Sequence, residues 1–310
     1  MIVAVTGASG YVGRFIIAEL QHQGVEIRAW QRAGTEPLGF SGPIHWLNGD
    51  LRSPEAMREL VSGADAVVHA AFEHQPGRYR GGEGSDLAAF LAANLSGTLN
   101  LLEAARLAEV KKFIFLSSRA VFGRDNVQPD VNAEINTEVD EERQACPDSH
   151  YGAYKAAVEA FLSSWSAQGM TCCSLRTTGV YGLTVPVERT KWLALIQAVL
   201  QGEECVSRGG TEVHGKDVAQ AVWLLLTEPS AVGIYHCSDL YLTTRDLVRI
   251  VHQLRGTTGP LPLEPAQRPS NIMDCQKLRR LGWQPGGLPL LESTLEQLVE
   301  IAMPEQWKRR

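Results

Sequence analysis

The first thirteen residues constrain the fold more than any other stretch of the chain: an apolar run of strand length, Ile2-Val3-Ala4-Val5, leads directly into Thr6-Gly7-Ala8-Ser9-Gly10-Tyr11-Val12-Gly13, and a helical pattern begins at about Tyr11. Glycine at these positions permits a tight turn. It also lets backbone N–H groups at the start of a helix close on a pyrophosphate, whose charge the helix dipole favours. Such a motif is weak alone; here strand, loop and helix follow in the order that a dinucleotide-binding unit requires. With no basic n-region and no long apolar h-region, the opening reads as a first strand and not as a signal peptide.

The same alternation continues. After the helix from about Tyr11 come Val25–Trp30, a helix from Pro54, Ala66–His69 and a long helix from about Asp86 to Ala108, then Phe113-Ile114-Phe115-Leu116 and Cys172–Leu175 as buried-looking strands. Strands joined by helical crossovers pair in parallel and are covered on both faces. The fold class expected is therefore α/β: a doubly wound parallel Rossmann sheet with a smaller C-terminal substrate domain. Beyond Arg176 the pattern predicts helices at Lys191–Leu200, Asp217–Leu226, Thr244–Leu254 and Leu291–Ile301 and a strand at Ile234–Cys237, with a Gly- and Pro-rich loop over Gly256–Ser270. We assign residues 1–175 and about 212–240 to dinucleotide binding, and about 176–211 and 241–310 to the substrate. Two long loops, Phe72–Ser85 and Arg124–Ser149, are candidate lids.

Composition narrows the partners. A net charge of -6 over 310 residues lacks the basic footprint that nucleic acid or an anionic membrane requires, so a small molecule is the expected partner. No apolar run reaches the length of a membrane span, and the expected compartment is the cytoplasm. The six cysteines show no CxxC pairing, and neither a disulfide framework nor a metal site is expected.

At the end of the second strand, where a nicotinamide enzyme often holds the ribose 2′-hydroxyl with a carboxylate, the chain reads Ala29-Trp30-Gln31-Arg32. A guanidinium there suits a 2′-phosphate. The cofactor expected is NADP or NAD, with Arg32 tipping the balance toward NADP.

Tyr151 and Lys155 lie four residues apart in a stretch of helical composition, on one face, while Tyr154 faces elsewhere. A phenol is a poor base at neutral pH, but a neighbouring ammonium favours its phenolate. The pair can exchange a proton with an alcohol or carbonyl while a nicotinamide exchanges the hydride. A buried strand ending Leu116-Ser117-Ser118 brings a hydroxyl to the carboxyl end of the sheet, where ligands bind.

Taken in order, TGASGYVG, Asn48-Gly49-Asp50-Leu51, His69-Ala70-Ala71, Asn94 in ANLSGTLNLLEAA, FLSSRAVFG and YGAYK resemble the extended short-chain dehydrogenases, the NAD-dependent epimerase/dehydratase family. The resemblance runs on through Leu175 to Gly182, Val213 to Ala219 and Lys277 to Trp283. It implies that Tyr151 is the acid/base, that Lys155 tunes it and holds the nicotinamide ribose, that Ser118 orients the reacting oxygen, and that Asn94 supports them. It implies further that Gly7, Ser9, Gly10, Tyr11, Val12 and Gly13 line the pyrophosphate, that Asp50 and Leu51 flank the adenine, and that Ala70 and Ala71 pass beneath the cofactor. Members often form homodimers through two long central helices, so a homodimer is expected.

Departures from the family pattern bear on the substrate. Gly179 stands where nucleotide-sugar enzymes usually carry Asn, and Gly210 where an arginine is common, with Arg208 two residues earlier. His74, Arg119, Thr178 and Arg208 are the candidate substrate contacts. Three readings stay open: an epimerase, dehydratase or reductase acting on a secondary alcohol or carbonyl of a sugar or nucleotide sugar; an NADPH-dependent carbonyl reductase or hydroxyl dehydrogenase on a non-nucleotide substrate; and a non-catalytic cofactor-binding sensor.

Overall fold

The computed structural model describes residues 1–32, 34, 37–75, 82–123, 138–266 and 272–303. Much of both candidate lids, 76–81 and 124–137, lies outside the described residues. Seven strands, β1 (Ile2–Thr6), β2 (Glu26–Gln31), β3 (His45–Asn48), β4 (Ala66–His69), β5 (Lys112–Ser118), β6 (Thr171–Thr177) and β9 (Gly233–Cys237), form one parallel sheet in the order β3-β2-β1-β4-β5-β6-β9. The order reverses between β1 and β4, whose last residues, Thr6 and His69, are partners in register. A crevice opens at such a reversal, outside the carboxyl ends of the strands.

Alternation along each strand divides the core. Val3, Val5 and Cys173 face α1 (Tyr11–His22) and α7 (Gly215–Thr227), where they meet Ile16, Ile17, Val218 and Leu225. Ala4, Phe113 and Cys172 face α2 (Pro54–Val61), α4 (Gly97–Leu107) and α5 (His150–Ala167), meeting Leu60, Leu101 and Val158. The adjacent cysteines thus point to opposite faces, as the period of a strand dictates.

The helix expected over Asp86 to Ala108 is present but not uniform. Between α3 (Leu87–Leu91) and α4 the backbone takes a π-helical turn over Ala92–Ser96. The whole run, Leu87–Leu107, is long and apolar enough to cross a membrane by length and composition, which corrects the expectation that no such stretch exists. In this fold it carries fully buried Asn94 and Thr98 against the sheet.

Strands that the sequence pattern did not predict form a second sheet: β7 (Gly179–Tyr181), β8 (Gly209–His214) and β10 (Leu240–Thr243), in the order β10-β8-β7. With α6 (Leu193–Leu200), α8 (Thr244–Arg255) and α10 (Gly287–Ala302) they enclose a separate core of Tyr181, Ile196, Val248 and Leu295. Helix α8 is fixed at both ends, by a reciprocal Thr243–Asp246 capping box and by Gly256 in the left-handed region at φ 61°. The short helix α9 (Gln276–Arg279) returns to the larger core, where Leu278 and Trp283 are buried and the Trp283 Nε1–H donates to the Asp217 carbonyl at 2.8 Å.

Candidate active site

The glycine loop forms a cradle with no room for a side chain at Gly7 or Gly13. Gly7 has φ +71°, and a methyl group on it would lie 2.5 Å from the Ala70 carbonyl carbon and the Ala71 nitrogen. A methyl on Gly13 would overlap the Gly7 carbonyl oxygen, and the Gly10 N–H closes the turn on that same oxygen at 2.9 Å. Gly10 caps α1 with no side chain of its own. Helix N–H donors without intrahelical partners suit an anion, so the loop of Gly7, Ser9, Gly10, Val12 and Gly13 is the part of the chain that could hold a dinucleotide pyrophosphate, while the Ala70 and Ala71 N–H groups are taken up by Thr6. Tyr11 has a different attachment. Its hydroxyl donates to the Gly182 carbonyl at 2.7 Å and accepts from the Lys191 N–H at 3.2 Å, joining the loop to the segment after β7.

Beneath the cradle runs a buried chain of hydrogen bonds. Thr6 Oγ1 meets His69 Nδ1 at 2.6 Å, and His69 Nε2 meets Thr98 Oγ1 at 2.8 Å. The Thr98 hydroxyl donates to the Asn94 carbonyl at 2.5 Å, and Thr6 Oγ1 accepts from the Ala71 N–H at 3.2 Å. Burial pulls His69 down to about 3, so it is neutral. One proton arrangement then satisfies every group: Nε2–H donates to Thr98, and Nδ1 accepts from Thr6. The Asn94 side chain donates to the carbonyls of Glu73 (2.8 Å) and Phe90 (3.0 Å) and accepts from the Glu73 N–H at 2.8 Å. It clamps the segment after β4.

Toward the adenine end, Arg32 is exposed just past β2, Asp50 accepts from the Arg52 N–H at 2.8 Å, and Leu51 is buried where Gly97 lets its carbonyl approach α4.

Ser149 caps α5 through its side chain, and a methyl on Gly152 would overlap the Ala120 carbonyl, so the helix starts hard against the turn that follows β5. Tyr151 is half-buried, with its ring 4.9 Å from that of Phe72. Lys155 is 4% exposed; its Nζ donates to the Leu116 carbonyl at 2.6 Å and lies 4.4 Å from the Phe115 ring centroid and 5.7 Å from that of Tyr151. Burial pulls this ammonium down to about 7, against the opposing pull of Glu159. Ser118 ends β5, its Oγ accepting from the Ala120 N–H at 3.1 Å. Tyr154 points away, into Phe90, Phe115 and Thr98, and burial pushes its phenol above the ordinary range.

Ser117 faces the opposite way from Ser118, into a buried polar cluster that the sequence reading missed. It donates to Glu159 Oε1 at 2.6 Å, Ser174 does so at 3.1 Å, and the Arg176 guanidinium pairs with Glu159 at 2.7 Å. The only signal available was Glu159 one helical turn beyond Lys155.

The candidate substrate residues are spread out. His74 stacks on Phe72 with centroids 4.8 Å apart; burial and the charge of Arg32 lower its pKa, which sets it toward the end of β2. Arg119 is half-buried next to Ser118, and Thr178 Oγ1 donates to Ser238 Oγ at 3.4 Å. Arg208 is exposed at the head of β8.

Similarities to known proteins bear on this arrangement. The sequence profile of the NAD dependent epimerase/dehydratase family matches residues 3–237. A 3-beta-hydroxysteroid dehydrogenase of Mycolicibacterium neoaurum is 29% identical over 215 residues, covering 68% of this chain and 55% of the relative, so the chain spans about half of that protein's length. A dTDP-glucose 4,6-dehydratase of Streptomyces niveus is 26% identical over 311 residues, covering 92% of this chain and 88% of the relative. Among solved structures, the UDP-glucose 4-epimerase of Thermus thermophilus in complex with NAD superposes with a TM-score of 0.77 at 26% identity, covering 97% of this chain and 99% of that one.

Proposed function

Because this chain belongs to the NAD dependent epimerase/dehydratase family and is an enzyme of the extended short-chain dehydrogenase/reductase type, we propose that it oxidises or reduces a secondary alcohol or carbonyl of a sugar or nucleotide sugar, with Tyr151 as proton carrier. The observation that carries this reading is the buried Lys155 ammonium, one helical turn from Tyr151 and tied to the strand that ends in Ser118. When bound, the nicotinamide supplies the hydride acceptor or donor. The protein's own groups do the rest. The Ser118 hydroxyl orients the reacting oxygen by donating to it. The Tyr151 phenolate takes the proton there in oxidation and the phenol gives it in reduction, and the charge on Lys155 stabilises the phenolate. Phe72 and Phe115 keep water from the ammonium, which strengthens that effect. Asn94 acts through the backbone of Glu73 as a positioning residue. Substrate binding is assigned to residues 176–211 and 241–310, apart from the segment of Leu278 and Trp283 that packs on the larger core.

Tyr151→Phe tests the proposal: turnover falls by about a hundredfold or more while NAD binding by calorimetry is unchanged. An unaffected turnover rate refutes it; NAD binding with no turnover in either protein favours a non-catalytic sensor.

A second reading, an NADPH-dependent carbonyl reductase on a non-nucleotide substrate, draws support from the end of β2. There Gln31 pairs with Asn48 at 3.3 Å and Arg32 follows. Consumption of added NADPH without a dinucleotide retained through purification favours that reading; a retained dinucleotide and no net absorbance change favour an epimerase.

A further inference from the structure

We propose that the Lys191–Glu212 ion pair is the element of the cleft that selects substrate, by gripping two neighbouring hydroxyl groups of a polyhydroxylated molecule. The inference rests on the reading of Tyr151 and Ser118 given above. It starts from a glycine: the register of β7 and β8 sets Gly179 opposite Glu212, and a methyl on Gly179 would overlap Glu212 Oε2 and lie 2.7 Å from Lys191 Nζ. The ion pair therefore occupies the volume that any side chain at 179 would fill, and Gly179 is the condition for its presence.

Position and exposure turn this packing detail into a candidate specificity device. Thr177, the last residue of β6, is the register partner of Ser118, so Thr178 and Gly179 continue from the same carboxyl edge that carries the reacting-oxygen donor. Arg119, next to Ser118, lies close enough to Glu212 for its charge to oppose the upward push of burial on that carboxyl. The Lys191 side chain is 31% exposed and that of Glu212 13%, so the pair is neither sealed in a core nor freely hydrated. The segment that presents Lys191 is held on several sides. Its N–H donates to Tyr11, its Nζ lies 5.3 Å from the Trp192 ring centroid, and Trp192, at φ 70°, stacks on Tyr181 at 4.9 Å. A bulky residue at positive φ is costly and persists where its surroundings over-determine it, which recurs at ligand sites.

The chemistry points to hydroxyls. A carboxylate only accepts and an ammonium only donates, whereas a hydroxyl does both. Two adjacent hydroxyls can donate one hydrogen bond to Glu212 and accept one from Lys191 while the two side chains stay paired. Part-exposed ion pairs add little to stability and gain strength when a ligand excludes water.

The test uses the full-length protein saturated with NAD, with affinity read by calorimetry. UDP-glucose is compared with UDP, and glucose with cyclohexanol, so that each ratio isolates the hydroxyls and the two arms separate nucleotide-linked from free sugar. The wild type prefers the hydroxylated member in at least one arm, and Lys191→Met and Glu212→Gln each weaken that member by about tenfold while leaving the other and NAD unchanged. Should a single variant fail to fold, the charge-balanced double variant Lys191→Met/Glu212→Leu decides. A wild type with no preference, or a preference that survives the substitutions, overturns the inference. Turnover of Tyr151→Phe run in parallel keeps the two proposals apart: loss of turnover with a preference that survives the ion-pair substitutions defeats only this one, and intact turnover defeats the reading of the cleft.

Discussion

The Lys155 Nζ donates to the Leu116 carbonyl oxygen at 2.6 Å, tying the middle of α5 to the cleft end of β5 from within an aromatic enclosure. The contact aligns the helix that carries Tyr151 with the strand that carries Ser118. It also leaves an ammonium where water is scarce, and that has a measurable consequence.

Lys155 is pulled from the ordinary lysine value of 10.5 down to about 7 by burial. Between those values the unfolded chain binds the extra proton, so stability rises with pH across that window. The cost of burying the charge is full below about pH 7 and fades as pH approaches 10.5. Lys155→Met therefore stabilises the cofactor-free protein by about 2–4 kcal/mol at pH 6, with the advantage shrinking toward pH 10, and removes activity at every pH. Urea denaturation of both proteins across the range checks it; a pH-independent difference counts against a buried ammonium.

Gly13→Ala drives a methyl group into the Gly7 carbonyl oxygen. The loop has to open, moving Gly7 away from Ala70 and Ala71. NAD affinity falls by about tenfold or more, with a stability loss of about 1–3 kcal/mol. Calorimetry and thermal melts separate the two effects.

Tyr11→Phe deletes both the hydrogen bond to Gly182 and the one from the Lys191 N–H. NAD binding changes little, while substrate KM rises by about threefold to tenfold at nearly constant kcat, since the hydroxyl holds Gly182 and Lys191, in the stretch to which substrate binding is proposed. A weaker NAD Kd with unchanged KM would return Tyr11 to the pyrophosphate.

Asp217 is pushed from 3.8 up to about 6, chiefly by burial, and its Oδ2 has no hydrogen-bond partner among the described residues. Its folded pKa exceeds its unfolded one, so its contribution is fully present below about pH 4 and is lost as pH rises through about 6. Asp217→Asn keeps an acceptor for the Gly286 N–H and raises stability by about 1 kcal/mol at pH 8, after allowance for screening, and by little at pH 4. Melting temperatures at the two pH values decide.

What the sequence disclosed follows from the range of the interactions. The glycine cradle, six of the seven strands of the large sheet and the Tyr151–Lys155 spacing are local patterns, and a single strand or turn carries each, whereas the four-residue edge strand β3 went unpredicted. Strand β7 has three residues and β8 opens with two glycines, too little for a period-2 signal. The Glu159–Arg176 pair spans 17 residues and the Lys191–Glu212 pair 21, and each exists only once strands or helices have packed. Nothing in composition distinguishes those charges from surface ones. Tyr11 shows the converse: its place in the glycine motif suggests the cofactor, whereas its hydroxyl reaches a segment 171 residues downstream.

The π-helical turn at Ala92–Ser96 has a bearing on redesign. Each residue of a helix turns its side chain by about 100°, so deleting Ala93 to regularise the backbone would swing Asn94 off Glu73 and Thr98 off His69 together. A protein engineered for an idealised helix here would gain regularity in the very turn whose irregularity aims two buried side chains, and its cradle would lose its foundation while every glycine stayed in place.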